Sequence, residues 1–422
     1  MSIFSKPRLV LVSLLFFLLS INIFFAVSLV IKARGQDRHA KVSQHQPPAE
    51  TTALKTKLQA RRDNELVAML EDCREKIPPD KIPCYQKRLE GILKTRGTEQ
   101  ALKSVEQLAK QDPDVLRESH PYTHHLGRIS FSHYKDAAVA FSHCGDMFAS
   151  GCYHGVLEGY LSSLRAIAPK DIVTLCNKSI DTHRSRSQKF QCLHGLGHGL
   201  TMYFRYDILK TLPFCDTLPT DWERQSCYGG VFMENIVAYQ NALHGHQTGH
   251  KGHHTGHKSF LDPKDPLHPC NVVEKRYQRA CYWMQASVIL TFNGFNLAEA
   301  FRECDKAPAR FIPTCYESMG REISGFTLSD SGKSIGLCKM GSSKYVHHCF
   351  VGAVKDFINT RVDPERGLAF CRGLDLEYKK DCYAAVGWML VSLYPDLGRR
   401  EDVCTRAEKK YTAVCKASAY SS

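Results

Sequence analysis

No two of the 18 cysteines in this chain lie within four residues of each other. Structural zinc sites place cysteines two to four residues apart, so this is no array of zinc fingers. The sequence also has no glycine-rich phosphate loop, no nucleophile elbow and no Cys-x-x-Cys-His haem attachment. Its Ser, His and Asp residues show no spacing that singles out a catalytic triad. Basic residues exceed acidic ones, for a net charge of +13, yet no single run gathers them. Such a charge reads as a solvated basic surface, with attraction to anionic lipid, acidic glycan or nucleic acid as the alternative. Nothing resembles a nucleic-acid reading module, so no nucleic-acid partner is expected.

The cysteines that are present fall in pairs. Cys270/Cys281, Cys304/Cys315, Cys338/Cys349, Cys371/Cys382 and Cys404/Cys415 are each eleven positions apart and recur every 33 or 34 residues. That period marks a repeat array whose unit is one helical hairpin. Earlier in the chain Cys73/Cys84 keeps the spacing, Cys215/Cys227 and Cys176/Cys192 widen it, and Cys144/Cys152 narrows it. From Cys84 to Cys152 is 68 residues, twice the period, and Ser119 stands about where the missing unit's second cysteine belongs. Both partners are missing there together, which favours a disulfide within each of the nine pairs. Paired cysteines imply an oxidising compartment.

Around each pair the pattern is helical. Apolar segments such as CYHGVLEGYLSSL and CYAAVGWMLVSL follow the second cysteine, and segments such as NLAEAFREC precede the first. Between the cysteines lies a linker rich in charge, Pro or Gly, such as DKAPARFIPT between Cys304 and Cys315. The unit is helix, cysteine, turn, cysteine, helix. Cys227 to Cys281 is about 20 residues too long, and the surplus is a His- and Gly-rich insertion, LHGHQTGHKGHHTGHKS.

With this layout the chain resembles the tetratricopeptide and Sel1-like superfamily of helical-hairpin solenoids, most closely its cysteine-rich secreted members. The resemblance covers roughly residues 65–418. It implies a curved right-handed superhelix with a concave face for a protein or peptide partner, and no reaction.

Residues 9–31 form an apolar run interrupted only by Ser13, Ser20, Asn22 and Ser28, long enough to span a bilayer. No small-x-small cleavage site follows, so an uncleaved signal-anchor is expected over a cleaved signal. Lys32, Arg34, Arg38 and Lys41 behind the run would favour a cytoplasmic C-terminal side. The paired cysteines argue for the outside, and long domains translocate largely regardless of charge.

Histidines gather in three consecutive units. His120 and His124 are four apart with His125 adjacent; His154 and Glu158 are four apart; so are His194 and His198. Residues four apart share a helix face, one turn from each other. Counted from the second cysteine, His154 matches His194, and Glu158 matches His198 and, aligned through Ser119, His125. Equivalent positions of successive units lie side by side, so these side chains are expected to converge on one metal ion (zinc, iron, copper or manganese), with tight hairpin packing around hydrogen-bonded histidines as the alternative. Glu158, if it is not a ligand, is the candidate catalytic base for a metal-bound water. Glu234 sits one position off the Glu158 place and reads as polar surface, with a further ligand as the alternative; Arg128 reads as a surface salt bridge, with an anion contact as the alternative. Glycines at 155, 159, 195, 197 and 199 point to close helix approach or to space for a ligand. His244, His246, His250, His253, His254 and His257 in the insertion offer a second, looser metal-binding tract.

The sequence therefore predicts an all-α chain: a solenoid of about ten disulfide-stapled hairpins, preceded by one N-terminal transmembrane helix. Its parts are a tail (1–8), anchor (9–31), polar stalk (32–64), N-terminal repeats with the His/Glu set (65–243), the insertion (244–259) and regular repeats (260–422). The expected function is metal handling or metal-dependent catalysis outside the cytoplasm. A binding scaffold without catalysis is the alternative.

Overall fold

The computed structural model describes residues 71–420 apart from 146, 149, 169–175, 177–185 and 244–259. The predicted anchor, the stalk and the histidine-rich insertion lie outside these residues. Among the described residues there are 20 α-helices and no strand, only an isolated bridge between Asp262 and Asp265. No described helix is long and apolar enough to cross a membrane.

The helices arise from local chemistry repeated along the chain. First arms begin at an Asp or Asn whose side chain accepts a free backbone N–H. Asp136, Asp207, Asn296, Asp330, Asp363 and Asp396 all cap in this way. Each such cap contributes about 1 kcal/mol. A disulfide then joins the arms across the turn. The bonded pairs are Cys73–Cys84, Cys144–Cys152, Cys176–Cys192, Cys215–Cys227, Cys270–Cys281, Cys304–Cys315, Cys338–Cys349, Cys371–Cys382 and Cys404–Cys415. Their Cα–Cα separations run from 5.3 to 5.7 Å. The residue after the second cysteine is a buried aromatic in most units: Tyr85, Tyr153, Tyr228, Tyr282, Tyr316, Phe350 and Tyr383.

The second arms position the site. They are α1 (Pro78–Arg96), α2 (Ser119–Tyr134), α3 (Gly151–Ser163), α4 (Arg186–Tyr203), α5 (Asp221–Leu243), α6 (Lys275–Met284), α7 (Ile312–Phe326), α8 (Val346–Arg361), α9 (Leu376–Leu393) and α10 (Thr412–Tyr420). From α2 to α5 and from α7 to α10, each packs on the next. Contact also runs between distant parts of the chain. Helix α4 touches α9, the Phe148 N–H donates to the Thr360 carbonyl at 3.3 Å, and the Arg361 guanidinium lies over the Phe148 ring.

One detail of the hairpin differs from the pattern read in the sequence. The second cysteine stands inside its helix rather than ahead of it. Cys315 is the fourth residue of α7, and its N–H already donates to the Phe311 carbonyl at 2.9 Å. The linker from Cys304 to Cys315 is shortened accordingly, because Ile312, Pro313 and Thr314 join the helix. Pro313 is no obstacle there, since a first-turn N–H has no partner within the helix to lose.

Glycines fix how neighbouring second arms cross. A Cβ on Gly197 would lie 2.1 Å from the Cys227 carbonyl oxygen, one on Gly320 2.0 Å from that of Cys349, and one on Gly387 2.1 Å from that of Cys415. Each of these glycines comes five residues after its own cysteine, Cys192, Cys315 or Cys382. Gly127 in α2 meets the Cys152 carbonyl in the same way, at 2.1 Å. Counting back places Tyr122, rather than Ser119, where the cysteine would stand. Helix α2 begins three residues ahead of that point, as α7 does ahead of Cys315. With no disulfide to mark the position, sequence spacing misplaces it by most of a turn.

Candidate metal centre

The corrected register changes which residues are equivalent. His124, His154 and His194 each stand two residues past the cysteine position of α2, α3 and α4. Arg128, Glu158 and His198 each stand six past it. These six side chains therefore line one seam across three adjacent helices. Glycine brings the seam together. A Cβ on Gly155 would lie 2.0 Å from the His124 carbonyl oxygen, and one on Gly195 would lie 3.0 Å from His154 Cα. Of the two roles open to these glycines, close helix approach is the one the packing shows.

Five imidazoles meet there. Ring centroids of His120 and His124 are 4.4 Å apart, His124 and His154 5.1 Å, His154 and His194 5.1 Å, and His124 and His198 5.2 Å. The outward-facing nitrogens decide the tautomers. His120 Nδ1 lies 2.8 Å from the Phe148 carbonyl oxygen, which can only accept, so Nδ1 carries the proton. His124 Nδ1 donates to Glu158 Oε1 at 2.6 Å, and that carboxylate also accepts from Arg128 Nη1 through Oε2 at 2.6 Å. His154 Nε2 donates to the Gln191 side-chain oxygen at 2.8 Å. A neutral imidazole has one N–H, so the inward nitrogens are all bare.

Those bare nitrogens face one another. His124 Nε2 is 3.0 Å from His120 Nε2 and 3.2 Å from His154 Nδ1. The three nitrogens lie within 4.8 Å of one another, and lone pairs as close as those of His124 to its two neighbours repel unless a cation lies among them. Tetrahedral zinc with bonds of about 2.0–2.1 Å separates its nitrogen ligands by about 3.3 Å, close to what is seen. Ligands whose outer N–H is held by a carboxylate, a carbonyl and an amide are the usual surroundings of metal-bound histidine.

Burial keeps the rings neutral. It is the largest cause for all five, pushing His120 and His198 down to about 4 and His124, His154 and His194 well below the ordinary imidazole value. For the last three, neighbouring imidazoles add to the effect. His198 Nδ1 pairs with Glu234 Oε2 at 2.9 Å, and its Nε2 is buried without a partner. Burial, then the charge of Glu158, pushes the Glu234 carboxyl well above its usual range. Phe148 itself is held at φ +55°, a strained conformation for a bulky residue, and strain of this kind concentrates at functional sites.

The residues expected from the sequence divide as follows. His120, His124, His154, Glu158, His194 and His198 come together. His125 points elsewhere, its Nε2 3.8 Å from Glu90 Oε2, because in the corrected register the seam position belongs to Arg128. The six histidines of the insertion are outside the described residues. Gln191, the Phe148 carbonyl and Met233, whose sulfur lies 3.5 Å from His194 Nε2, carried no motif. A polar residue directly before a second cysteine was the one signal for Gln191. Asp72, Cys73 and Cys84 also lie close together, but both sulfurs are in a disulfide. Among the described residues, the remaining clusters of possible ligands are His120, His124 and His154, and Glu158, His198 and Glu234.

Comparison with known proteins gives no matching family, no matching curated protein and no matching solved structure.

Proposed function

We propose that the chain is a metalloprotein in which His120 Nε2, His124 Nε2 and His154 Nδ1 hold one transition metal ion. The observation that carries this reading is the convergence of three bare imidazole nitrogens whose tautomers are set from outside. Three imidazoles suit zinc, copper or iron, and manganese where carboxylate joins. Three protein ligands leave a coordination position open, as in catalytic rather than structural zinc sites. The ion would there activate water or hold a substrate oxygen. Glu158 accepts from His124 Nδ1 through one oxygen and from Arg128 through the other, so its role toward this ion is to orient His124, in place of the base role its spacing suggested, and each oxygen keeps a further lone pair.

The surrounding frame is read as a solenoid of tetratricopeptide or Sel1-like type, anchored by residues 9–31 and lying outside the cytoplasm. Nine disulfides support the oxidising compartment. A scaffold binding a protein or peptide is the second reading. One observation favours it: Trp388, 47% exposed, holds in α9 the position that Glu158 holds in α3.

The test is elemental analysis of the purified, oxidised full-length chain. At least one equivalent of transition metal is expected, with one equivalent lost in a His124→Ala/His154→Ala variant and none lost when residues 244–257 are replaced by a Gly-Ser loop. Metal that disappears only with the loop defeats the proposal.

A further inference from the structure

We propose that Glu158, His198 and Glu234 form a second cation site beside the three histidines, making the centre dinuclear with Glu158 joining its two halves. The first ion rests on the reading above; the second set of ligands stands on its own geometry. One ligand atom from each of Glu158, His198 and Glu234 lies within 4.8 Å of the others. The three come from α3, α4 and α5, so the set is built by consecutive units rather than by one surface loop. All three side chains are buried, with relative exposures of 1%, 1% and 7%.

Two features call for a cation. The first is charge. Two carboxyl groups are buried within reach of each other, and the guanidinium of Arg128 contacts only Glu158. A carboxyl buried without a counter-charge holds a proton instead, as burial makes Glu234 do, and a cation bound between the two groups would displace that proton and pair with both carboxylates. The second is the imidazole. His198 Nε2 is fully enclosed and unpartnered, and leaving such a group unmade costs about 1–3 kcal/mol. A ring that lends one nitrogen to a metal and the other to a hydrogen bond resolves this.

The two sets are neighbours. The His198 ring lies 5.2 Å from that of His124 and 5.4 Å from that of His154. Glu158 belongs to both, since its Oε1 accepts from His124 Nδ1 while it stands among the second set's ligand atoms. The donor sets differ: three imidazoles in one, two carboxylates and an imidazole in the other. The second favours a harder divalent ion such as manganese or ferrous iron. Paired ions of this sort clamp both oxygens in a displacement, which a single ion cannot do.

The experiment strips the full-length chain with chelator and titrates it without oxygen with Fe(II), which suits both donor sets, following bound metal and the parallel-mode EPR spectrum. Two equivalents and a spin-coupled spectrum are expected for the wild type. Glu234→Gln is expected to retain one equivalent with an uncoupled spectrum, and Glu234→Asp to bind the second ion about 10–100-fold more weakly. His154→Ala is expected to retain the second ion alone. One uncoupled equivalent in the wild type, indifferent to Glu234→Gln and lost with His154→Ala, overturns the second site and leaves the first standing. One equivalent that survives His154→Ala and is lost with Glu234→Gln overturns the three-histidine reading instead. No bound metal overturns both.

Discussion

The same substitution, glycine to alanine inside a second-arm helix, should have opposite effects at two positions. In isolation alanine is favoured over helical glycine by about 1 kcal/mol, because glycine loses more backbone freedom on folding. Gly91 in α1 is exposed, and a Cβ there meets nothing within 4 Å. Gly91→Ala should therefore stabilise the chain by up to about 1 kcal/mol. At Gly155 a Cβ would sit 2.0 Å from the His124 carbonyl oxygen and 3.0 Å from the Arg128 backbone nitrogen. Both are main-chain atoms, so no rotamer change relieves the overlap. Carbon–oxygen contacts settle near 3.3–3.6 Å, which requires α2 and α3 to part by more than about 1 Å. Overpacking of this kind costs about 1–3 kcal/mol, occasionally more, and here it must also overcome the helix preference. A net loss of about 2 kcal/mol is expected for Gly155→Ala, some 3 kcal/mol from the Gly91 result.

Under the proposed metal site, metal content is a second readout of the same displacement. His124 Nε2 and His154 Nδ1 are 3.2 Å apart across this interface. Metal–ligand distances tolerate only about 0.2 Å, so the separation that admits a methyl group also breaks the site. Urea unfolding of the two oxidised variants, with metal content measured alongside, tests both parts. A Gly155→Ala protein as stable as wild type and retaining its metal would refute the close-approach reasoning.

Three other perturbations have expected outcomes. Glu158→Gln removes the charge that orients His124; metal affinity by chelator competition should fall about 10–100-fold, and an unchanged affinity would show that the carboxylate is not an orienting group. For the metal-free chain, His120 and His198 have folded pKa values of about 4, below the unfolded 6.5. Between those values the unfolded state binds protons that the folded state does not. Stability is therefore full above pH 6.5 and drains as pH falls toward 4, by at most about 1.4 kcal/mol per unit for each histidine. Unfolding midpoints measured with chelator across that window should slope downward, and a flat profile would contradict the burial. Replacing Cys371 and Cys382 together by serine should cost about 3 kcal/mol by loop-closure entropy, read from the urea midpoint, while peptide mapping of the wild type under non-reducing conditions links these two residues, and Cys304 to Cys315.

How much of this was legible in the sequence depended on whether a feature was local. Helical arms, caps and cysteine pairs repeat within each unit, so period and spacing reveal them. Even there the helix start before Cys315 was obscured, because a Pro and a Thr look like linker until their place in a first turn is known. Register across a unit without cysteines is not local. Ser119 was the natural place to count from, yet helix crossing at Gly127 sets Tyr122 there, and the shift exchanges His125 for Arg128. The glycines were visible, but whether they made room for a helix or for a ligand depended on what lay opposite, a carbonyl in the next unit. The outer partners of the histidines were least legible. A backbone carbonyl at Phe148 has no residue type to mark it, and Gln191 gains its meaning only when His154 of the preceding unit turns toward it.

The disulfide ladder and the proposed metal seam then become parts of one design problem. His154 lies in the first turn of α3, where helices fray and ligands would wander. Cys152, two residues earlier, is tied to Cys144 at that very turn. His194 follows Cys192, tied to Cys176, by the same two residues. Helix α2 has no disulfide, and there Tyr122 takes the cysteine's position, buried edge-on against Tyr85 with ring centroids 6.0 Å apart. Ligands supported by a rigid second layer can keep a strained, lone-pair-rich arrangement that a looser helix would relax. The staples next to the seam thus hold the imidazoles in place as well as the fold. Reducing Cys144–Cys152 should accordingly release metal before it unfolds the chain, whereas reducing Cys404–Cys415, whose helix α10 packs on α9, should lower stability with metal affinity unchanged.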